Sequence, residues 1–390
     1  MRGLDDGGHG GACVFHCRNL SPAGHRTSGT LAGYGDQRCC LDEKFSRRPK
    51  VSKNRPVTLL DIARAAHVST ATVSLALRDN TSVSPQTRER VKQTAQDLGY
   101  IYNRSAASMR TLRSGIIGVT ANRFDNLFMG AFLEAVEGRI AAFRSGLLIG
   151  SVREDVAVQR ASLERFLQFK VDGIIISPAG ATTAEDLAFL RRTGIPVVQA
   201  IREIDGVDLD FVGCDNASGT DLALNHLLDL GHRRIAGIGG RIESSTGRAR
   251  KAAIDAFLAR HGLPCPAGFW QFGEMTFQEG VRAGQRLLEL PERPTAVLCF
   301  NDSIAFGLAS ALRAAHVAVP DDMSIVAFDD TPDAALHYPG LTAVASHQDE
   351  IGAIAIDLLF ERIENGDLPA RRHVLTPTLH VRASSAPPRA

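Results

Sequence analysis

The 390-residue chain lacks long hydrophobic runs: no apolar stretch reaches the roughly 18 residues that a membrane-spanning helix needs. Its N-terminus also lacks the short apolar segment of a secretory signal peptide. These two absences argue against a membrane protein and against export, so we expect a cytoplasmic protein. The composition, with 44% hydrophobic and 22% charged residues, suits a globular protein with sizeable cores. The length favours two or three domains.

Sequence motifs of common enzyme classes are also missing. The chain contains no G-x-S-x-G nucleophile elbow, no H-E-x-x-H metal motif and no paired C-x2-C knuckles. Gly237-x-Gly239-Gly240 follows an apolar run and weakly indicates a phosphate-binding loop, but it does not complete G-x-G-x-x-G. We therefore predict that the protein is not an enzyme and that it uses no cofactor and no metal.

The formal net charge is only +1, but the charges are unevenly distributed. Residues 1–56 carry ten Lys/Arg against five Asp/Glu, and residues 57–110 carry seven against four. The remaining residues hold 27 basic and 34 acidic groups. A basic N-terminal part on an acidic body suits contact with phosphates at one end only. Because the basic excess at residues 57–110 is small, we expect two copies of the chain in each complex with a phosphate-bearing partner.

Residues 58–77, TLLDIARAAHVSTATVSLAL, predict two short helices. Thr58 is a candidate N-cap for the first helix, and Ser69 for the second. The apolar stripe of the first helix would be Leu59, Ile62, Ala63 and Ala66, and the inward face of the second would be Val73, Ala76 and Leu77. This spacing is typical of a helix-turn-helix, although a helical hairpin of any globular protein would show it too.

The predicted second helix presents small residues at its front. Such a front can approach base edges in a DNA major groove closely. Ser84 and Pro85 then predict the start of a third helix, and Gly99 predicts its end. The inner face of this third helix would be Val91, Ala95 and Leu98. Three short helices within about fifty residues form a compact DNA-binding head.

The segments TLLDIARAAHVSTATVSLALRD and VSPQTRERVKQTAQDLGY closely resemble the DNA-binding domain of the lactose-repressor (LacI/GalR) family. The register holds without a gap from Thr58 to Met109, and the similarity continues to about Arg382. The resemblance implies a bacterial transcriptional regulator, a repressor, with its helix-turn-helix domain at residues 57–102 and double-stranded operator DNA as its partner. The DNA contacts implied in this domain are Thr58, Ser69, Thr70, Ala71, Thr72, Ser74 and Leu75.

Residues 103–113 resemble the hinge of the family, which orders on DNA and enters the minor groove. Asn103 can cap a short helix that ends at Met109, and this helix is too short to persist alone in water. Met109 stands where the family places a leucine wedge between base pairs. The implied DNA contacts are Asn103, Arg104, Ala106 and Met109. The alternative is an ordinary linker with one apolar residue.

Residues 1–56 show no sustained periodicity and are rich in Gly, Ser, Arg and Cys. Because members of the family usually begin close to Val57, we predict a disordered leader or a start codon assigned too far upstream. A zinc site is an open alternative, but C-x3-C and an adjacent pair are not the spacings of paired knuckles. The residues concerned are Cys13, Cys17, Cys39, Cys40, His9, His16 and His25.

From Ser114 onwards, short continuous apolar runs alternate with helical patterns, and the alternation repeats after residue 214. This rhythm predicts parallel sheets covered on both faces. We therefore predict an α/β core of two doubly wound lobes, which resembles the periplasmic-binding-protein-like core of the family. Within residues 114–382, lobe 1 would comprise about 114–212 and 347–374, lobe 2 about 214–345 and 376–382, with crossings near Gly213, Ser346 and Leu375.

The last residues, 383–390, are predicted to form a polar tail. The C-terminal heptad helix of the lactose repressor has no counterpart here. We therefore expect a homodimer and not a tetramer.

Ligands of this fold bind between the lobes, at the carboxyl ends of the strands. The family's pocket, carried over residue by residue, gives Phe128, Arg250, Met275, Asn301, Asp302 and Asp329 as effector contacts. A guanidinium can grip two vicinal oxygens, and carboxylates with an amide suit hydroxyls that both donate and accept. These side chains imply a sugar or a sugar derivative as effector. Asp302 has an alternative reading as only a helix N-cap.

The chain also departs from the family at this pocket. Leu127-Phe128-Met129 replaces a common Pro-Phe-Phe run, Met275 replaces a frequent aromatic residue, and Ser346 replaces a glutamine that some members use. Asn122-Arg123 replaces a usual Pro-Asp, and Arg123 would suit a phosphorylated or acidic effector. A nucleobase, a nucleoside or a phosphorylated metabolite therefore stays open as an alternative. The head and the missing signal peptide argue against a sugar-binding protein without a role on DNA.

Overall fold

The computed structural model describes residues 56–101, 113–366 and 368–389. The chain divides at Ile101 into two compact units. No helix within these ranges is both long and apolar enough to cross a bilayer. Nor do the described residues contain a cluster of His, Cys, Asp or Glu that suits a metal ion. The predicted leader and its alternative zinc site lie outside the described residues. So do the predicted DNA contacts of the hinge, which are Asn103, Arg104, Ala106 and Met109.

The first unit contains the three predicted helices, α1 (Leu59–Ala65), α2 (Thr70–Ala76) and α3 (Pro85–Asp97). Ile62, Val73 and Val91 are fully buried, and they belong to one apolar cluster between the three helices. Leu98, which was expected on the inner face of α3, is 39% exposed. It is the C-cap of the helix, where the chain turns away through Gly99 at a φ of 67°.

All three predicted N-caps are confirmed. Thr58 and Asp61 form a capping box: the Thr58 backbone N donates to Asp61 Oδ2 at 2.9 Å, and the Asp61 backbone N donates to Thr58 Oγ1. Ser69 Oγ accepts from a backbone N in the first turn of α2 at 3.0 Å. Ser84 Oγ does the same for α3 at 3.3 Å. Local hydrogen bonds therefore set where each helix of the head begins.

The second unit alternates strands and helices along the chain. Its strands are β1 (Ile116–Ala121), β2 (Gly146–Ser151), β3 (Gly173–Ile176), β4 (Val197–Ala200), β5 (Asp210–Cys214), β6 (Ile235–Ile238), β7 (Trp270–Gln271), β8 (Ala296–Cys299), β9 (Ser324–Asp329), β10 (Thr342–Ala345), β11 (Arg372–Leu375) and β12 (Thr378–His380). Its helices are α4 (Leu127–Ile140), α5 (Val156–Gln168), α6 (Ala188–Arg191), α7 (Asn216–Asp229), α8 (Ser245–His261), α9 (Phe277–Leu288), α10 (Asp302–Ala314), α11 (Pro332–Leu336) and α12 (Gln348–Glu364).

Lobe 1 is built on a six-stranded sheet in the order β11-β5-β4-β3-β1-β2. Every pairing in this sheet is parallel. Phe132 of α4 and Ile356 of α12 are buried in the cluster on one face, and Leu163 and Phe166 of α5 belong to the cluster on the other. Because both faces are covered, an inner strand such as β3 is buried along its whole length and is continuously apolar, as the sequence predicted.

Lobe 2 contains the second six-stranded sheet, in the order β12-β10-β9-β8-β6-β7. Only β12 pairs in the antiparallel sense, against β10. Ile304 and Leu308 of α10 are buried with α9 on one face, whereas Leu224 of α7 and Phe257 of α8 are buried on the other. The predicted fold class, an N-terminal helical head followed in sequence by two doubly wound lobes, is confirmed.

The chain passes between the two sheets three times, after β5, after β10 and after β11. At the first passage, β5 lies in the sheet of lobe 1, and α7, which follows at once, packs in lobe 2. The parallel strands of each lobe end in loops that line a shared cleft.

The structure corrects the prediction that residues 383–390 form a polar tail. Ser384 is fully buried, its carbonyl accepts from the Ile325 backbone N at 2.8 Å, and its Oγ accepts from the Thr342 backbone N at 2.8 Å. Two residues further on, the Ala386 backbone N donates to Ser324 Oγ at 3.0 Å. Residues 384–386 are thus an integral part of lobe 2. Their polar side chains serve buried hydrogen bonds with β9 and β10 rather than solvent.

Candidate functional site

A cavity of about 250 Å³ opens between the lobes, at the carboxyl ends of the strands. This volume lies just below the range of roughly 300–1,000 Å³ that is typical of small-molecule sites. Both lobes contribute to its wall. Four of the six predicted effector contacts line the cavity: Phe128, Arg250, Met275 and Asp329.

Arg250, on α8, is held in the cavity wall by contacts on several sides. Its Nε donates to Asn216 Oδ1 at 2.8 Å, and its Nη1 donates to the carbonyl of Phe300 at 2.6 Å. The guanidinium carbon lies 3.7 Å from the centroid of the Phe328 ring. Burial lowers the pKa of Arg250 to about 10, so it stays protonated at neutral pH. Its Nη2 has no hydrogen-bond partner in the described part of the chain, and it can therefore serve a ligand.

Asp329 ends β9 and lines the same cavity. Its backbone adopts a φ of 97°, and Asp330 follows at 56°, in the left-handed region that non-glycine residues rarely occupy. Such strain concentrates at functional sites. Burial, reinforced by the neighbouring charge of Asp302 and opposed by Arg250, raises the pKa of Asp329 to about 8. At pH 7 the carboxyl group is mainly protonated, so it can both donate to and accept from a hydroxyl group.

Asn301 and Asp302 lie behind the cavity wall and are not among its lining residues. Asn301 is the N-cap of α10, because its Oδ1 accepts from the Ile304 backbone N at 2.9 Å; its Nδ2 donates to the Met275 carbonyl at 3.2 Å. The alternative role of Asp302 as N-cap is therefore wrong. Asp302 Oδ2 instead accepts from the backbone N and Oγ1 of Thr331, at 2.8 and 2.7 Å. These two side chains position the loops that form the wall.

The structure adds cavity residues that sequence reasoning missed. Asn216, the partner of Arg250, follows the strand end in VGCDN, and that position was the available signal. Arg202 Nη1 donates to Glu154 Oε2 at 2.7 Å across 48 residues of sequence, a contact that no local pattern indicates. This carboxylate also accepts from the Gly180 backbone N. Burial raises the pKa of Glu154, but the charge of Arg202 and these hydrogen bonds outweigh it, and the net effect is a lowered pKa.

In the head, the front of α2 is accessible. Ser69, Thr70 and Ala71 are exposed, and Thr72 and Ser74 are half-buried. Thr58 is engaged in its capping box, and Leu75 is half-buried and packs against the core of the head.

Arg78, which sequence reasoning did not select, is exposed just after α2. Its Nε donates to the carbonyl of Ser74 at 3.0 Å. This contact leaves the front of α2 with a basic group beside its small hydroxyl side chains.

Two family models match the chain. Residues 58–103 match the bacterial regulatory proteins of the lacI family, and residues 224–385 match a periplasmic binding protein-like domain. The chain is 32% identical over 329 residues to the ribose operon repressor of Escherichia coli strain K12, an alignment that covers 84% of this chain and 99% of the repressor.

Solved structures of regulators of this kind are also similar to the chain. The lac repressor dimer bound to operator and the anti-inducer ONPF superposes with a TM-score of 0.76 at 26% identity, over 85% of this chain and 100% of that chain. A LacI family transcriptional regulator from Enterococcus faecium with bound ribose gives a TM-score of 0.63 at 25% identity, over 70% and 99%. The identity to the ribose operon repressor extends over nearly the whole of that repressor, and the head matches the family model. The chain therefore belongs to the lacI family of bacterial regulatory proteins.

Proposed function

We propose that the protein is a sequence-specific transcriptional repressor whose affinity for its operator is controlled by a sugar or sugar-derived effector bound between the lobes. The observation that carries this proposal is the presence, in one chain, of a helix-turn-helix head and of a closed-in polar cavity containing Arg250 and Asp329. Neither feature alone would distinguish a regulator from a sugar carrier or a DNA-packaging protein.

The binding partners that we propose for this chain are taken from its relatives. One is a repressor of a ribose operon, one is a dimer bound to operator DNA, and one holds ribose. We propose that this chain likewise acts as a homodimer on double-stranded DNA in the cytoplasm, and that its role is regulatory rather than enzymatic. Two heads per complex also compensate for the small basic excess of a single head.

The chemistry of the cavity suits a polyol. Nη2 of Arg250 has no acceptor among the described residues, while Nε and Nη1 hold the guanidinium in place, so its orientation is set before a ligand arrives. The protonated carboxyl group of Asp329 offers both a donor and an acceptor, which matches a hydroxyl group. Phe128 and Met275 supply apolar surface that packs against the carbon face of a sugar.

Effector binding can influence DNA binding through the arrangement of the two lobes. The cavity wall comes from both lobes, so a ligand that contacts both walls favours the closed arrangement. Outside the cavity the lobes already touch, since the Glu203 backbone N donates to Ser245 Oγ at 3.0 Å and Arg248 pairs with Asp205 at 2.7 Å. We propose that a change in this closure alters the spacing of the paired heads, with a coupling of about 1–3 kcal/mol.

The test is selection of an operator from a random DNA pool, followed by fluorescence anisotropy of the selected site with and without sugars. We expect a palindromic half-site and a change in DNA affinity with one sugar or sugar derivative. Failure to enrich any sequence would overturn the role as a sequence-specific regulator. An enriched operator that responds only to nucleobases or nucleosides would retain the regulator and reassign its effector.

A further inference from the structure

The inter-lobe cavity is lined by more arginines than carboxylates. The charged residues of its wall are Arg123, Arg153, Arg202, Arg241 and Arg250, against Glu154, Glu274 and Asp329. A cleft lined mainly by one sign of charge concentrates ions of the opposite sign. The significance of this imbalance depends on which of these groups are already paired.

Two of the arginines have carboxylate partners. Arg123, which the sequence suggested as the source of positive charge, is neutralised by Asp125, because its Nε donates to Asp125 Oδ1 at 2.8 Å. Arg202 and Glu154 form a largely buried pair at 2.7 Å. The remaining acidic groups do little to offset the other arginines. Glu274 is exposed, and the raised pKa of Asp329 keeps it mainly uncharged at pH 7.

Arg241 and Arg153 differ from the other three arginines of the cavity wall. Within the described residues, neither side chain forms a hydrogen bond or an ion pair. Arg241 is half-buried, and its Nε is buried without an acceptor. Burying a donor without a partner is unfavourable, and a bound acceptor would remove that cost. The charge of Arg241 does lower the pKa of Glu154, but no hydrogen bond or ion pair joins the two side chains within the described residues, and Arg202 and the Gly180 backbone N both donate to Glu154 Oε2.

The backbone holds Arg241 in position. Gly239 and Gly240 turn the chain at the end of β6, with φ values of 95° and 87°, and a Cβ at either position would lie within 2.3 Å of a neighbouring side chain. The Arg241 carbonyl then accepts from Ser244 Oγ at 2.7 Å, just before α8. This is the glycine-rich turn that the sequence weakly indicated as a phosphate loop. Arg153 follows β2 in lobe 1, so these two arginines come from opposite lobes.

We propose that the effector is an anionic polyol, a sugar carrying a phosphate or a carboxylate group. Its anionic group binds Arg241 and Arg153, and its hydroxyl groups bind Arg250 and Asp329. An anion between cations from two lobes cancels their repulsion and favours closure, whereas a neutral sugar leaves that repulsion in place. The inference rests on the proposed function, because it names the chemical class of that same effector.

The experiment is calorimetric titration of the full chain at pH 7 and low salt with matched neutral and anionic pairs. The pairs are D-ribose with D-ribose 5-phosphate, D-glucose with D-glucose 6-phosphate, and D-glucose with D-gluconate. We expect an anionic member to bind at least about tenfold more tightly than its neutral partner, and added NaCl to narrow the difference. Phosphate and carboxylate probes in the same series distinguish the two sources of the anion.

Variants assign the effect to the proposed residues. Arg241→Gln and, separately, Arg153→Gln should reduce the ratio of anionic to neutral affinity to about twofold or less. The matched control is Arg234→Gln, which removes the same charge from the residue just before β6, at the end of the strand away from the cavity. Since Arg153 is exposed, its variant remains informative if Arg241→Gln fails to fold.

Equal or tighter binding of the neutral sugar in every pair would overturn the anionic effector and leave a sugar-controlled repressor standing. Absence of binding by every sugar phosphate and sugar acid would overturn it as well. Anisotropy with the selected operator, measured on the same preparation, then decides separately whether the DNA-binding function holds.

Discussion

Arg250 Nε donates a hydrogen bond of 2.8 Å to Oδ1 of Asn216, the first residue of α7 after the chain leaves lobe 1. The guanidinium that faces the cavity is thus joined to the first passage between the lobes. Its Nη1 is fixed on the Phe300 carbonyl beside β8. A ligand that binds Arg250 therefore acts on a group whose position both the sheet and the crossing determine.

Arg250→Ala should abolish the effector response and leave operator affinity within about twofold, because the DNA contacts belong to the head. Loss of the donors to Asn216 and Phe300 should also lower the free energy of unfolding by about 1–3 kcal/mol. Arg250→Lys keeps the charge without the planar fork and should give an intermediate response. Thermal shift and anisotropy measure the two effects. A sugar-induced thermal shift of equal size in wild type and Arg250→Ala would contradict the assignment.

Leu75→Arg should change the operator that the head selects. Leucine cannot donate a hydrogen bond, whereas arginine can donate two to a guanine, so the preference for G at the facing position should rise by roughly 1–3 kcal/mol. Leu60→Arg is the control, since it adds the same charge to an exposed position of α1. Selection from random DNA reads out both variants. If the half-sites of Leu75→Arg match those of wild type, Leu75 serves only the core of the head, against which it packs.

Asp329 should make the protein less stable as pH rises. Its pKa is about 8 in the folded state, above the ordinary value of 3.8, so the folded state holds the extra proton between these limits. Stability then falls with increasing pH over that window, by at most about 1.4 kcal/mol per pH unit for this group. The charges that face Asp329 are Asp302 and Arg250.

Asp329→Asn should remove this part of the pH dependence, so that the stability difference between variant and wild type changes steadily from pH 5 to about pH 8. Urea unfolding, monitored by circular dichroism at each pH, measures this difference in stability. Parallel curves for the two proteins over this range would show that Asp329 ionises at its ordinary pKa.

Asp210→Asn should destabilise lobe 1. Asp210 is fully buried and accepts from Arg362 Nε at 2.7 Å, from Arg362 Nη2 at 2.9 Å and from the Arg371 backbone N at 2.8 Å. Removing its charge leaves the partly buried Arg362 without its hydrogen-bonded counter-ion, and breaking a buried pair in this way typically costs about 3–5 kcal/mol. Asp208→Asn, at a nearby exposed position, should change stability by less than about 0.5 kcal/mol.

The same pair has the opposite pH dependence to Asp329. Burial raises the pKa of Asp210, but the hydrogen bonds and charge of Arg362 outweigh it, so the net shift is downward. The stability that Asp210 contributes is therefore present above its unfolded pKa and is lost as pH falls through the folded one. Urea midpoints of wild type and Asp210→Asn should converge in acid, and a constant gap down to pH 3 would contradict the role of this ion pair.

The sequence alone was sufficient for the head and for the class of the core. Thr58, Ser69 and Ser84 cap the helices that were expected to follow them, because a cap acts on backbone groups two or three residues away. Apolar runs such as GIII of β3 are buried as expected, because a strand between two covering layers of helix must be apolar on both faces. Both signals depend only on residues that are close in sequence, so they can be recognised before the fold is known.

Tertiary structure decided the rest, since the remaining contacts join residues far apart in sequence. Asp302 looked like a cap or a ligand contact, but its carboxylate accepts from Thr331 on the next strand's loop. Ser384 looked like part of a solvated tail, yet its hydroxyl is hydrogen-bonded inside lobe 2. Arg123 looked like the free cation of the cleft, yet Asp125 neutralises it, while the Arg241 side chain has no hydrogen-bond partner in the part of the chain that the structure describes. Composition shows that such charges and hydroxyls exist; only the packing of distant strands determines which of them are paired, because hydrogen bonds and ion pairs form over about 3 Å in space and not along the chain.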